Sequence, residues 1–171
     1  MNWLLIISFL LTLGSAVLNA LAVCLPYWLY MERPSMAYQG LWQKCMPNLY
    51  SGSGTDLKCE IILLPPEFLD ATRVMMLLGL CFYVFSTICS FLFTCTRRDS
   101  ASLLTAATIL VFIGALLTMV GVVTYGAMYP RLLHAKGLSL HAAFGIGVCS
   151  CISGFVNVLF YCMVRAKGDM D

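Results

Sequence analysis

The sequence predicts a membrane protein of the α-helical class, a bundle of four transmembrane helices that carries a small β-sheet outside the bilayer. Three observations point there. Hydrophobic residues make up 61% of the 171-residue chain and charged ones 11%, against roughly 45–50% and about 25% in soluble domains. Four stretches contain no Lys, Arg, Asp or Glu: Met1 to Met31, Val74 to Thr96, Ser100 to Pro130 and Gly137 to Val164. Each is long enough for the roughly 20 apolar residues that a helix needs to cross a bilayer. Between the first two lies a loop holding Trp28, Trp42, Cys45 and Cys59, which suits an oxidising exterior where thiols pair.

The runs lack the alternation of barrel strands, so helices are the way their backbone satisfies its polar groups in lipid. Residues 1–171 read as one membrane domain. Its spans fall near 4–27, 74–95, 103–128 and 142–163, with outer loops at 28–73 and 129–141, an inner turn at 96–102 and a tail at 164–171. The formal charge of +2 is small and scattered, which excludes a nucleic-acid surface.

The first run reads as a span rather than a cleaved signal, because no basic residue precedes it and it outlasts a signal core. Gly14 and Asn19 are expected to face a neighbouring helix. Arg97 and Arg98 crowd the short turn after span two, and Arg165 and Lys167 follow span four directly. Basic residues so close to span ends favour the cytoplasmic side, which puts both termini inside.

The first outer loop reads as β. Leu57, Cys59 and Ile61 alternate with Lys58 and Glu60, a period of two expected where one face is covered. Residues Ser51 to Asp56 supply a turn, and Tyr38 to Met46 is the expected partner strand. Cys45 and Cys59 are expected to pair across it, closing a ring of about 15 residues worth about 3 kcal/mol. Metal ligation fits less well, since the loop has neither CxxC spacing nor histidine.

Pro65, Pro66 and Glu67 look like a helix start. The helix then runs through Arg73 into span two, where an arginine either snorkels as an interfacial anchor or ties the sheet to the bundle through loop carbonyls. Span three is long. Its 31 residues from Ser100 to Pro130 exceed the hydrocarbon by about 10 residues, or about 15 Å. The surplus with Thr124, Tyr125 and Tyr129 is expected to project outward until Pro130 ends or bends it.

Trp28, the cluster Gly40, Leu41, Trp42 and Cys45, then Cys59 and Arg73 resemble the first-extracellular-loop motif of the claudins, within the wider group of peripheral myelin, epithelial membrane and lens fibre tetraspan proteins. Leu25 to Trp28, Leu63 to Met75, and Tyr129, Pro130, Lys136 and Gly137 are also claudin-like. The resemblance implies a left-handed four-helix bundle with an extracellular antiparallel sheet. It also implies side-by-side assembly within one membrane and head-to-head assembly between cells, in strands that seal the intercellular space or pass selected ions. Three departures stand out: Trp28 to Trp42 is shorter than in most claudins, Cys45 to Cys59 is longer, and Asp171 ends the chain where a PDZ groove takes an apolar residue. Docking to a PDZ scaffold is therefore not expected.

Glu60 occupies the place of an acid that lines a cation path in pore-forming relatives, with Lys58 on the same strand face to offset its field. The other reading of this pair is a solvated strand edge. Cys95 and Cys162 lie near the inner surface as candidates for S-palmitoylation; the remaining span cysteines are small apolar fillers. His134 and His141 lack a carboxylate partner and read as interfacial polar residues. No residue grouping suggests an enzyme, a cofactor or a metal site.

On span four, Ala143 with Gly147 and Ser150 with Gly154 repeat small residues four apart, which serves contacts within the bundle as well as between subunits. Met36, Leu41, Met46, Leu49, Leu132, Leu133 and Leu138 are expected to form an apolar contact patch. The expected partners are the lipid bilayer and copies of this or similar proteins in the same and the opposing membrane. Two functions follow: a plasma-membrane junction protein forming or modulating a paracellular barrier or ion pathway, or a regulatory tetraspan subunit of a channel or receptor.

Overall fold

A computed structural model of the chain describes residues 3–31, 37–47, 57–95, 101–132 and 138–168. Four helices dominate: α1 (Trp3–Cys24), α2 (Glu67–Cys95), α3 (Ala101–Leu132) and α4 (Ala142–Gly168). Each is long and apolar enough to cross a membrane. The tightest pairings are α2 with α3 and α1 with α4.

Helix α1 stops three residues short of the expected 27, and Pro26 is the reason. Proline has no N–H to donate to the carbonyl four residues back and its ring crowds that turn, so the last helical bond runs from Leu25 N–H to the Leu21 carbonyl. The carbonyls of Ala22 and Val23 then lose their helical partners. Both are taken by tryptophan: Trp28 Nε1 donates to Ala22 at 2.7 Å and Trp42 Nε1 to Val23 at 2.9 Å.

The sheet has five antiparallel strands: β1 (Leu29–Met31), β2 (Ala37–Gln39), β3 (Gln43–Pro47), β4 (Leu57–Ile61) and β5 (Leu138–Leu140), in the order β4-β3-β2-β1-β5. The stretch expected as one strand from Tyr38 to Met46 is two. A turn at Gly40 breaks it, with Gly40 N–H donating to the Gln43 carbonyl at 2.8 Å. Only glycine fits there, because a Cβ would lie 2.5 Å from the Pro26 Cα. The segment between α3 and α4 contributes β5, which pairs with β1 from Leu29↔Leu140 to Met31↔Leu138.

Strand β4 departs from expectation in another way. Its period-two pattern predicted one covered face, yet all five residues are exposed. Among the described residues it is the edge strand, pairing only with β3, and neither of its sides is covered.

Helix α2 begins where predicted, with Pro65 and Pro66 before it and Glu67 and Asp70 in its first turn. Helix α3 runs 32 residues, two beyond Pro130. The proline does not end it, because it sits in the last turn, where the bond it removes is among the last of the helix. Tyr125, in the stretch of α3 expected to project beyond the membrane, is fully buried beneath Trp28.

The bundle interior is partly polar. Ser8, Thr12, Ser15 and Asn19 line one face of α1, all fully buried. Across from them on α4, Tyr161 Oη and Thr12 Oγ1 share a 2.9 Å hydrogen bond, Asn157 Nδ2 donates to Thr12 Oγ1 at 2.6 Å, and Ser150 Oγ donates to the Ser15 carbonyl at 2.8 Å. Asn19 Nδ2 reaches Thr118 Oγ1 on α3 at 2.7 Å. Inside lipid such groups find no water, so they pair across helices. Gly14 does not join them, since a Cβ there would meet nothing within 4 Å.

The small residues of α4 serve the bundle itself. Ala143 is fully buried, Gly147 lies against Val122, Met76 and Ala22, and Gly154 against Tyr83 and Ala115.

Candidate functional site

The loop motif comes together where the sheet meets the bundle. Trp28 is fully buried in an aromatic bed, its ring 4.7 Å from Tyr125 and 6.0 Å from Phe144. Its backbone joins the segment after α1 to the one before α4: Trp28 N–H donates to the Gln39 carbonyl, while the Trp28 carbonyl accepts from His141 N–H, each at 3.0 Å. Leu41 is also fully buried. It therefore leaves the expected contact patch, because the Gly40 turn folds it inward beside Arg73.

Arg73 is 8% exposed and holds the sheet to α2. Its Nε donates to the Leu41 carbonyl at 2.8 Å and its Nη2 to the Ile62 carbonyl at 3.3 Å. Nη1 lies 3.5 Å from Asp70 Oδ1, and the guanidinium stacks 4.9 Å over the Trp42 ring. A buried cation is tolerated only with such partners. Of the two roles open from sequence, the geometry is that of the tie.

Cys45 and Cys59 face each other across β3 and β4 and form a disulfide. The cross-link sits at the exposed end of the sheet, opposite the β1–β5 edge.

Lys58 and Glu60 point into solvent and pair with one another at 3.0 Å. Lys44 stands directly across from Glu60 in the register. The hydrogen bond and charge of Lys58, with help from Lys44, hold the Glu60 carboxyl below its usual 4.5. Two lysines against one glutamate leave this patch with a formal charge of +1.

Cys162 is exposed on the last turns of α4; Cys95 ends α2, and its side chain lies outside the described residues. The expectations placed on Met36, Leu49, Leu133, His134, Arg97 and Arg98 also fall outside them, as do the side chains of Leu132 and Leu138. His141 lies between Tyr30 and Tyr27, with ring centroids 5.4 and 6.1 Å away. Among the described residues no three His, Cys, Asp or Glu side chains are grouped to hold a metal ion.

Sequence reasoning missed the aromatic bed of Phe68, Tyr125 and Phe144, and the polar zipper between α1 and α4. The zipper had a readable signal. Ser8, Thr12, Ser15 and Asn19 recur at helical spacing on α1, as do Ser150, Ser153, Asn157 and Tyr161 on α4.

Four membrane-spanning helices that carry a disulfide-linked sheet at one end define a tetraspan membrane protein. The chain belongs to the PMP-22/EMP/MP20/Claudin family, whose sequence pattern matches residues 1–166. A comparison with curated proteins finds no match.

Proposed function

We propose that the protein is a non-enzymatic, claudin-like junction protein of the plasma membrane, with the sheet facing the cell exterior and both termini inside. It assembles with copies of itself or similar proteins in the same and the opposing membrane and forms or modulates a paracellular barrier.

One observation carries this reading. Both outer loops fold into a single sheet fixed to the bundle through Trp28, Trp42 and Arg73. A platform held so firmly loses little conformational freedom when it binds, and contacts between membranes are strengthened by that preorganisation. Its charge favours a seal over a cation route, because Lys44 and Lys58 outweigh Glu60 on the exposed strands.

Freeze-fracture of fibroblasts expressing the protein tests the reading. Continuous strands at cell contacts are expected. Dispersed particles would instead indicate a regulatory subunit acting within one membrane.

A further inference from the structure

Among the described residues, the two most exposed apolar side chains near the sheet are Leu63 and Leu64, 85% and 93% exposed. They lie between β4 and α2, directly after Ile62, which hydrogen bonds tie to the end of α1. Helix α1 spans about 33 Å at 1.5 Å per residue, close to the roughly 30 Å of hydrocarbon, so its end at Val23 and Cys24 marks the boundary on the sheet side. Trp42 is bonded to that end through the Val23 carbonyl, and the Trp42 carbonyl accepts from Ile62 N–H at 2.9 Å. The Ile62 carbonyl in turn accepts from Arg73. Ile62 is thus held at the boundary, and Leu63 and Leu64 leave from there.

Two residues of this segment lower its need for water. Pro65 and Pro66 have no N–H to satisfy, and the Pro66 carbonyl is taken by Leu69 and Asp70 N–H. The charged groups of α2 start only at Glu67. It lies six positions before Arg73, about 9 Å further out along the helix axis.

We propose that Leu63 and Leu64 dip into the lipid leaflet on the sheet side, where their partner is the acyl-chain region of the protein's own membrane. With the ties at Trp42 and Arg73, this foot sets the height of the sheet above the bilayer. The inference stands apart from the junction reading, since it concerns a single chain in its own membrane.

The test places a reporter at each position, Leu63→Trp or Leu64→Trp, in nanodiscs holding one chain each. The added fluorescence, taken against the parent protein, is read in phosphatidylcholine with brominated acyl chains and with aqueous iodide. Insertion predicts blue-shifted emission that loses most of its intensity to the bromines and little to iodide. Emission quenched by iodide and untouched by bromines would overturn the proposal. So would bromine-insensitive emission that turns blue only in discs holding two chains, which would assign the leucines to contact with a second copy. The exposure of both positions lets each tryptophan enter without disturbing the core.

Discussion

Arg73 shows how one side chain can unite two parts of a fold. It gives its donors to carbonyls of two separate loop segments, Leu41 and Ile62, while its face covers Trp42. Lysine has no fork to reach both carbonyls and no flat face to stack. Arg73→Lys is therefore expected to destabilise the protein by about 3 kcal/mol, the worth of one or two charge-assisted bonds, seen as a lower midpoint in thermal unfolding in detergent. Proteolysis of the segment between α1 and α2 should quicken in the same variant.

Glu60 is the matching case on the exposed surface. Its carboxyl is held below 4.5 by the hydrogen bond and charge of Lys58. A depressed carboxyl pKa means that the pair is complete above the ordinary value and is lost as pH falls through the lowered one. An NMR titration should give a Glu60 midpoint below 4.5 that rises in Lys58→Met. Glu60→Gln removes the one negative charge of the patch. If the strand lines an intercellular path, that change lowers the Na+ to Cl− permeability ratio of a transfected cell layer, and an unchanged ratio removes the strand from the path.

The helices were the most legible elements, because charge-free runs of the right length leave lipid-crossing helices as the economical solution. Their ends were less so. Pro26 closed α1 earlier than composition suggested, while Pro130 failed to close α3, and the difference lies in what surrounds each proline. Around Pro26 two indoles stand ready to take the freed carbonyls; Pro130 falls in a last turn that needs few bonds. The sheet was legible as β and as cysteine-linked, but β4 was read as half covered because alternation alone does not reveal whether anything lies over it.

Packing between helices makes its own prediction. A Cβ at Gly154 would lie 2.5 Å from Tyr83 Oη and 2.9 Å from Ala115 Cβ, so Gly154→Val forces apart three helices. The expected cost is about 1–3 kcal/mol, measured as loss of thermal stability in detergent, whereas Gly145→Ala, where a Cβ meets nothing, should leave stability nearly unchanged.

For the whole molecule, a helical bundle and a sheet are joined at one layer made of Trp28, Trp42, Arg73 and the aromatic bed. The interior of the bundle is zipped by polar groups that bond helix to helix without the sheet. The sheet, by contrast, is short-stranded and exposed at its β4 edge, so it depends on the disulfide and on the Arg73 tie. Reduction should therefore loosen the sheet and spare the helices. About 3 kcal/mol of loop-closure stabilisation is lost, with far-UV helical signal retained while hydrogen exchange quickens across β3 and β4.

The most direct test of a stapled platform outside the cell is thiol labelling of intact expressing cells with a membrane-impermeant maleimide, followed by peptide mass mapping. Cys45 and Cys59 should stay unlabelled until an impermeant phosphine reductant is added from outside, and both should then react. Labelling of either cysteine without reductant, or only after the cells are permeabilised, would contradict the account.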